Sequence, residues 1–316
     1  EREKLARELP VDRYRPQAAP REAARARAGM VELGWFGLGL PERVGGSGLG
    51  LVEEALVQRE CGRYLVSPSV LATVLGAHVA AHGGDDALAG ELIAGARGAA
   101  LAIQDRGATY AFDAGPGDLL LAWNDAGMGL FDPAAFTGAQ PHAGLDDSVG
   151  MQRGTLALER PRVWVQAARA PLAQRAQVLL AAQLVGLADH ATELTVEYAK
   201  FRQQFGKPIG TFQAVKHRCS DMAIRTQLGW YQTAHAALRL QAGAADAALQ
   251  VASAKLLAAH AAHENGRAAI QVHGGIGFQS ECDVHWFMKR AHLYDQAGGN
   301  MQRQSLRVAR EPSPLW

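Results

Sequence analysis

Two stretches of this chain carry residue types and spacings suited to holding a diphosphate. Residues 198–212 read YAKFRQQFGKPIGTF, with an arginine three residues ahead of a Phe-Gly turn and helical sequence on either side. Residues 271–277 read QVHGGIG, where a long helix runs into paired glycines. A guanidinium offers two parallel charge-assisted donors to phosphate oxygens, and glycine lets bare amides at a helix end approach an anion closely. Other chemistry is sparse. His260 and His263 stand at i, i+3 on an alanine-rich helix with no third ligand in sight, so they read as helix-surface residues rather than a metal site. GGSGLG at residues 45–50 lacks a preceding strand and is no dinucleotide fingerprint. No serine or cysteine sits in a nucleophile-elbow context.

The elements that must position these residues can be read from periodicity. Leu180, Leu184, Leu187, Ala191, Leu194 and Tyr198 recur at steps of four and three, one face of a long helix. The Pro208–Gly210 turn, with an N-cap expected at Thr211, starts a second helix with Val215, Cys219 and Met222 on one face. A third runs from residue 244 to 272 and stops at Gly274–Gly275. A fourth begins near Glu281 and continues toward Arg310, with a break at Gly298–Gly299. Four long helices with short connections predict an antiparallel bundle. Upstream, residues 1–97 read as short helices joined by glycine loops, with helices over 21–33, 52–62 and 69–81. Between them, ALAIQ, DLLLAW, MGLF, TLAL and VWVQ are short apolar runs separated by Gly, Pro and Asp, enough for a reduced sheet and not for a large barrel. The expected organisation is mainly α with a small β domain: a helical part at 1–97, a reduced β part at 98–170 and a helical bundle at 171–316.

Composition narrows the class. At 48% hydrophobic and 20% charged, the 316 residues can bury a sizeable core. A net charge of +1, with arginines scattered, predicts neither a nucleic-acid nor a membrane partner. Cys61, Cys219 and Cys282 are too few and too dispersed for a disulfide framework or a zinc knuckle, so they read as buried thiols in a reducing compartment. With no apolar run near ~20 residues and no signal-like start, the expected location is cytoplasmic.

Three segments then carry a resemblance to the acyl-CoA dehydrogenase family: GWFGLGLPERVGGSGLGLVEEALVQRECGR (34–63), YAKFRQQFGKPIGTFQAVKHRCSDM (198–222) and AIQVHGGIGFQSECDVHWFMKRA (269–291). The order helical part, β part, four-helix bundle is similar to that family's. The resemblance implies FAD as cofactor, with Arg202 matching the arginine that grips the flavin diphosphate of a neighbouring subunit. Gln204 and Phe205 match its companions, and Gln271, Gly274 and Gly275 match the residues on the same arm of the cofactor. Asn300 and Gln302 match the family's last flavin contacts.

The pattern then breaks. The family's reaction takes an α-proton from an acyl-CoA thioester with a glutamate while a β-hydride goes to the flavin. The positions matching that glutamate are Gly298 in most members and Ala176 in others, and neither can abstract a proton. Asp295 is displaced from the reactive position, and Glu281 matches a structural glutamate. The family's Thr-Glu-Pro stretch and Gly-Ser-Asp turn, which hold the flavin ring, are absent from LAIQDRGATYAFDAGPGD (101–118). No catalytic residue is therefore assigned. The expectation is a subunit that completes the FAD site of a full-length partner in a heteromeric, α2β2 acyl-CoA dehydrogenase acting on a bulky acyl-CoA such as a steroid thioester. The alternatives are a self-sufficient homo-oligomeric dehydrogenase with a non-standard base, and a non-enzymatic binding protein reusing the fold.

Overall fold

The computed structural model describes residues 27–311. Of the helix expected at 21–33, residues 27–32 are helical and the remainder of its start lies outside the described residues. Two single 3-10 turns, Trp35–Gly37 and Glu42–Val44, lead into α1 (Leu51–Arg63), α2 (Pro68–Gly83) and α3 (Asp86–Ile93). Ser67 caps α2 by accepting the Ser69 amide, with Pro68 at the first helical position, where its missing N–H costs nothing. Glu54 of α1, buried, gathers this region. Its Oε1 accepts from the Gly39 amide (3.2 Å) and from His78 Nε2 of α2 (2.6 Å), and Arg175 binds its other oxygen.

The middle part is a seven-stranded sheet: β1 (Ala99–Asp105), β2 (Ala108–Phe112), β3 (Leu119–Asn124), β4 (Gly127–Phe131), β5 (Phe136–Pro141), β6 (Met151–Leu156) and β7 (Val163–Gln166). Their order is β5-β6-β2-β1-β3-β4-β7, with β1 and β3 parallel and every other pair antiparallel. Four of the seven coincide with the apolar runs, TLAL (155–158) overlaps only the last two residues of β6, and β2 and β5 are additions. One face packs on α2, where Gly76 admits Leu130 and Gly83 admits Val163; the other closes over a small cluster of Ala102, Ala111, Leu120, Ala122, Phe131 and Leu156.

The C-terminal part is the bundle: α4 (Leu172–Phe201), α5 (Gln213–Gln241), α6 (Ala247–His273), α7 (Val284–Gln296) and α8 (Met301–Arg310). The last two are the expected fourth helix, broken where Gly298 and Gly299 take positive φ. α4 is apolar on more than the one face read from its periodicity, because it lies at the centre: every residue from Ala176 to Ala188 is buried. It crosses α1 at backbone contact, since a Cβ at Gly62 would stand 2.1 Å from Gln183 O and one at Gly186 2.0 Å from Arg59 O. Asn265 of α6, fully buried, donates to Ala188 O of α4 and Met222 O of α5, fixing three helices at one point. The expected N-cap at Thr211 is corrected: α5 begins after Phe212, and the Thr211 hydroxyl instead donates to Pro208 O.

Arg290 of α7 binds the three parts together. Its wholly buried guanidinium donates to Asp146 Oδ2 (2.5 Å) and Ser148 Oγ (2.9 Å) of the loop before β6, and to Val66 O (2.9 Å) between α1 and α2. The architecture is thus helical, then sheet, then helical.

Candidate functional site

The residues matched to cofactor contacts fall into two separate places. The first is the end of α4. Arg202 closes the helix with its amide on Tyr198 O, and the chain reverses through a two-stranded hairpin, β8 (Gln203–Gln204) with β9 (Lys207–Pro208). The two residues at its tip, Phe205 (φ 53°) and Gly206 (φ 78°), both take positive φ, the geometry of a type I′ turn. A phenylalanine in that region costs about 1–2 kcal/mol, yet it holds the ring out at 92% exposure, edge-on to Phe212. The Arg202 guanidinium is half-buried and makes no hydrogen bond or ion pair among the described residues. Gln204 Nε2 returns to Gln203 O (2.8 Å).

The end of α6 shares this corner. Tyr198, one turn before Arg202, stacks on His273 at 4.1 Å between ring centroids and reaches its carbonyl with the phenol at 3.4 Å. Gln271 is exposed on the last turn, and a Cβ at Gly274 or Gly275 would meet nothing within 4 Å. The expectation of bare amides is corrected for Gly274, whose N–H closes the helix onto Gln271 O and Ile270 O. Phe278, missed in the sequence, stands exposed just beyond; its signal was an aromatic directly after the glycines.

The second place is the break between α7 and α8. Three side chains hold its carbonyls. Lys255 Nζ of α6 donates to Ala297 O (2.9 Å), Asp295 O (3.3 Å) and Gly299 O (3.5 Å). Gln304 Nε2 donates to Gly299 O (2.9 Å) and Gly298 O (3.2 Å), and Gln177 Nε2 to Gly298 O (3.4 Å). Burial pushes the Lys255 ammonium down to about 8. Asn300 Oδ1 accepts the Arg303 amide and so caps α8, while Gln302 is exposed.

Gly298, Asn300 and Gln177 line a cavity of about 680 Å³ between the β3–β4 edge and the bundle. A Cβ at Gly298, where φ is 72°, would lie 3.3 Å from Trp123 Nε1. Ala176 does not face this cavity: it is wholly buried in the bundle core, and the next residue, Gln177, is the one on the wall. Asp295 is also off the wall. It is buried, accepts the Met301 amide (2.9 Å) and lies 3.7 Å from His263 Nε2. His263 is accordingly buried, contrary to the surface position expected of it, while His260 is exposed. Among the described residues no group of three His, Cys, Asp or Glu could hold a metal. The carboxylates on the cavity wall are Asp125 and Glu311, and Asp125 is engaged by Arg303 (2.7 and 2.8 Å) and Arg307 (3.1 Å). Of the matched residues, Arg202, Gln204, Phe205, Gln271, Gly274 and Gly275 lie outside this cavity. Cys61 and Cys282 are buried thiols, and Cys219 is half-buried on α5.

A helical part, a middle sheet and a helical bundle, in that order, make an acyl-CoA dehydrogenase fold. The match extends to sequence. Residues 165–312 fit the family model for the acyl-CoA dehydrogenase C-terminal domain and residues 2–95 that for the N-terminal domain. The chain is 35% identical over 265 residues to the acyl-CoA dehydrogenase IpdE2 of Mycobacterium tuberculosis, covering 83% of this chain and 78% of that one. Among solved structures it is similar to butyryl-CoA dehydrogenase of Megasphaera elsdenii (TM-score 0.75, 20% identity, 97% and 95% of the two chains). It is also similar to a chain of the ChsE4-ChsE5 complex of M. tuberculosis (TM-score 0.73, 25% identity, 92% and 89%). The chain belongs to the acyl-CoA dehydrogenase family, and with it to a group of FAD-dependent oxidoreductases. Among the described residues no helix is long and apolar enough to cross a membrane.

Proposed function

We propose that this chain is the non-catalytic subunit of a heteromeric, α2β2 acyl-CoA dehydrogenase, and that its Arg202 corner completes the FAD site of a full-length partner subunit. The observation that carries the reading is the separation of the two places. The residues suited to the diphosphate arm lie outside the chain's own cavity, while that cavity is lined by Gly298, which the resemblance matches to the family's glutamate. The corner suits a diphosphate: a half-buried arginine with no hydrogen bond or ion pair among the described residues, beside glycines with open space above them. Bound there, FAD would supply the hydride acceptor of the family's α,β-dehydrogenation. This chain's own part is to bind and orient: Arg202 for the charge, Gly274 and Gly275 for close approach, Phe205 and Gln271 for the flanks. Asn300 and Gln302 are placed with them by resemblance alone. The two-chain ChsE4-ChsE5 structure supports a heteromeric reading, and a steroid acyl-CoA dehydrogenase, Tcur3481-Tcur3483, of the same fold supports a bulky acyl-CoA as substrate of the complex. Free thiols throughout support a cytoplasmic setting. The self-sufficient alternative would need a base in a cavity whose carboxylates are Asp125, held by two arginines, and Glu311.

Flavin content decides the matter. The chain purified alone is expected to be colourless and inactive on a panel of acyl-CoAs, and the co-purified complex to hold about half a flavin per chain. One flavin per chain in the isolated protein, or turnover near an ordinary enzyme rate of about 10 per second, would refute the shared site.

A further inference from the structure

The cavity between the β3–β4 edge and the bundle, about 680 Å³, has the volume of a site for a small organic molecule. Two arginines of α8, Arg303 and Arg307, stand on its wall, and the resemblance matches neither to a cofactor contact. Each gives only its Nη2 to Asp125, at 2.7 and 2.8 Å from Arg303 and 3.1 Å from Arg307. Among the described residues nothing engages the Nε or Nη1 of either. A guanidinium can hold a carboxylate by two parallel bonds, and here each is held through one nitrogen. Asp125 and Arg303 are more than half exposed, which sets the group at the cavity mouth. Ion pairs so exposed contribute little and are readily exchanged. Asp125 lies on the β3–β4 turn, and the next residue is pinned at both backbone groups: the Ala126 amide donates to Asn124 Oδ1 (2.8 Å) and Ala126 O accepts the Ala167 amide (2.9 Å). The Asp125 side chain can therefore swing outward while the turn stays in place.

We propose that this cavity binds a free organic acid, whose carboxylate takes the place of Asp125 between Arg303 and Arg307. Asp125 is a carboxylate already standing where the ligand's would stand. Charge requires an exchange rather than an addition, because Asp125 and Glu311 balance the two arginines on the wall. Behind the arginines the wall offers the two kinds of surface that the body of such a molecule needs. Ile103, Met128, Leu172 and Val251 are apolar. Gln104, Gln174 and Gln296 bring amides whose side chains make no hydrogen bond among the described residues, suited to hydroxyl or carbonyl groups on the ligand. Inorganic phosphate would reach the arginines and leave that interior unfilled. The acid is bound and not transformed, so neither a thioester nor a base is called for. None of the Arg202 corner lines the cavity, and this site does not depend on the role proposed for that corner.

Isothermal titration calorimetry on the full chain tests it, with cholate and ω-hydroxydecanoate as probes and their methyl esters as uncharged controls. Each acid should bind at least about tenfold more tightly than its ester, the difference that a charge-assisted contact makes. Arg303→Ala should weaken the acid about tenfold and leave the ester unchanged. Asp125→Asn should act in the opposite direction, tightening the acid about fivefold by removing its competitor. A wall that had merely loosened would move acid and ester together, and both variants should keep the wild-type circular-dichroism spectrum. The site is overturned if neither acid binds below about 1 mM, if the esters bind as well as the acids, or if Asp125→Asn leaves the acid's affinity unchanged or lowers it. Binding of coenzyme A or inorganic phosphate without either acid would overturn it as well. An acid whose binding is lost in Arg202→Ala and kept in Arg303→Ala would belong to the corner and not to this cavity.

Discussion

Arg202→Ala should separate cofactor retention from folding. In this chain the guanidinium has no hydrogen bond or ion pair to lose among the described residues, and the helix behind it is held by Tyr198, His273 and a buried apolar centre. Truncation therefore leaves no buried partner unpaired, and the expected change in unfolding free energy is within about 0.5 kcal/mol, the range for a surface substitution. Toward a diphosphate the loss is different in kind. A hydrogen bond to a charged group contributes about 1.5–3 kcal/mol, so flavin should leave the complex with an affinity weakened roughly 10- to 100-fold. Arg202→Lys should recover little of this, because an ammonium cannot make two parallel bonds. The assay is flavin absorbance per chain after dialysis of the co-purified complex, beside urea unfolding of the isolated chain. Wild-type flavin content in the alanine variant would show that Arg202 does not touch the cofactor. A chain that unfolds more than about 2 kcal/mol too easily would make the residue structural instead.

Two further perturbations probe the break between α7 and α8. Gly298→Glu puts a carboxylate where the resemblance matches the family's glutamate, but at positive φ and against Trp123; it should destabilise the chain by about 1–2 kcal/mol in urea unfolding and confer no dehydrogenase activity on the isolated protein. Lys255 has its folded pKa lowered by burial to about 8 against 10.5 for the free side chain, so between those values the unfolded state binds the extra proton. Its contribution should therefore make stability rise as pH goes from 8 to 10.5, by up to a few kcal/mol. Lys255→Met should abolish that rise, read as the difference between wild-type and variant melting curves across the window.

The bundle was legible because α4 shows apolar steps of three and four, while α6 and the broken α7–α8 pair are marked by glycines at a helix end or break. Arg202, Phe205 and the glycine pair were singled out by their types and by the family resemblance, and the structure sets them at the ends of α4 and α6. What periodicity could not supply was rotation. One residue turns a helix by about 100°, and that is the difference between Ala176 in the core and Gln177 on the cavity wall. The strands β2 and β5 escaped for different reasons: ATYAF is short, with two alanines in five residues, and β5 is an exposed edge carrying Gly138 and Pro141 with little apolar signal. Burial of His263 depends on His292 and Asp295, residues about thirty positions away. The approach of α1 to α4 through Gly62 and Gly186 likewise depends on contacts more than a hundred residues apart.

Trp123 and the two positive-φ glycines also bear on descent. A chain that once exchanged a carboxylate for Gly298 would have met no obstacle at first. With the backbone at 298 now in a conformation that favours glycine, and an indole edge 3.3 Å from where a Cβ would begin, a single codon change back lands in an occupied and strained place. The fold would then act as a ratchet: drift at other surface positions stays reversible one step at a time, while the vacated position is entrenched by its own neighbours.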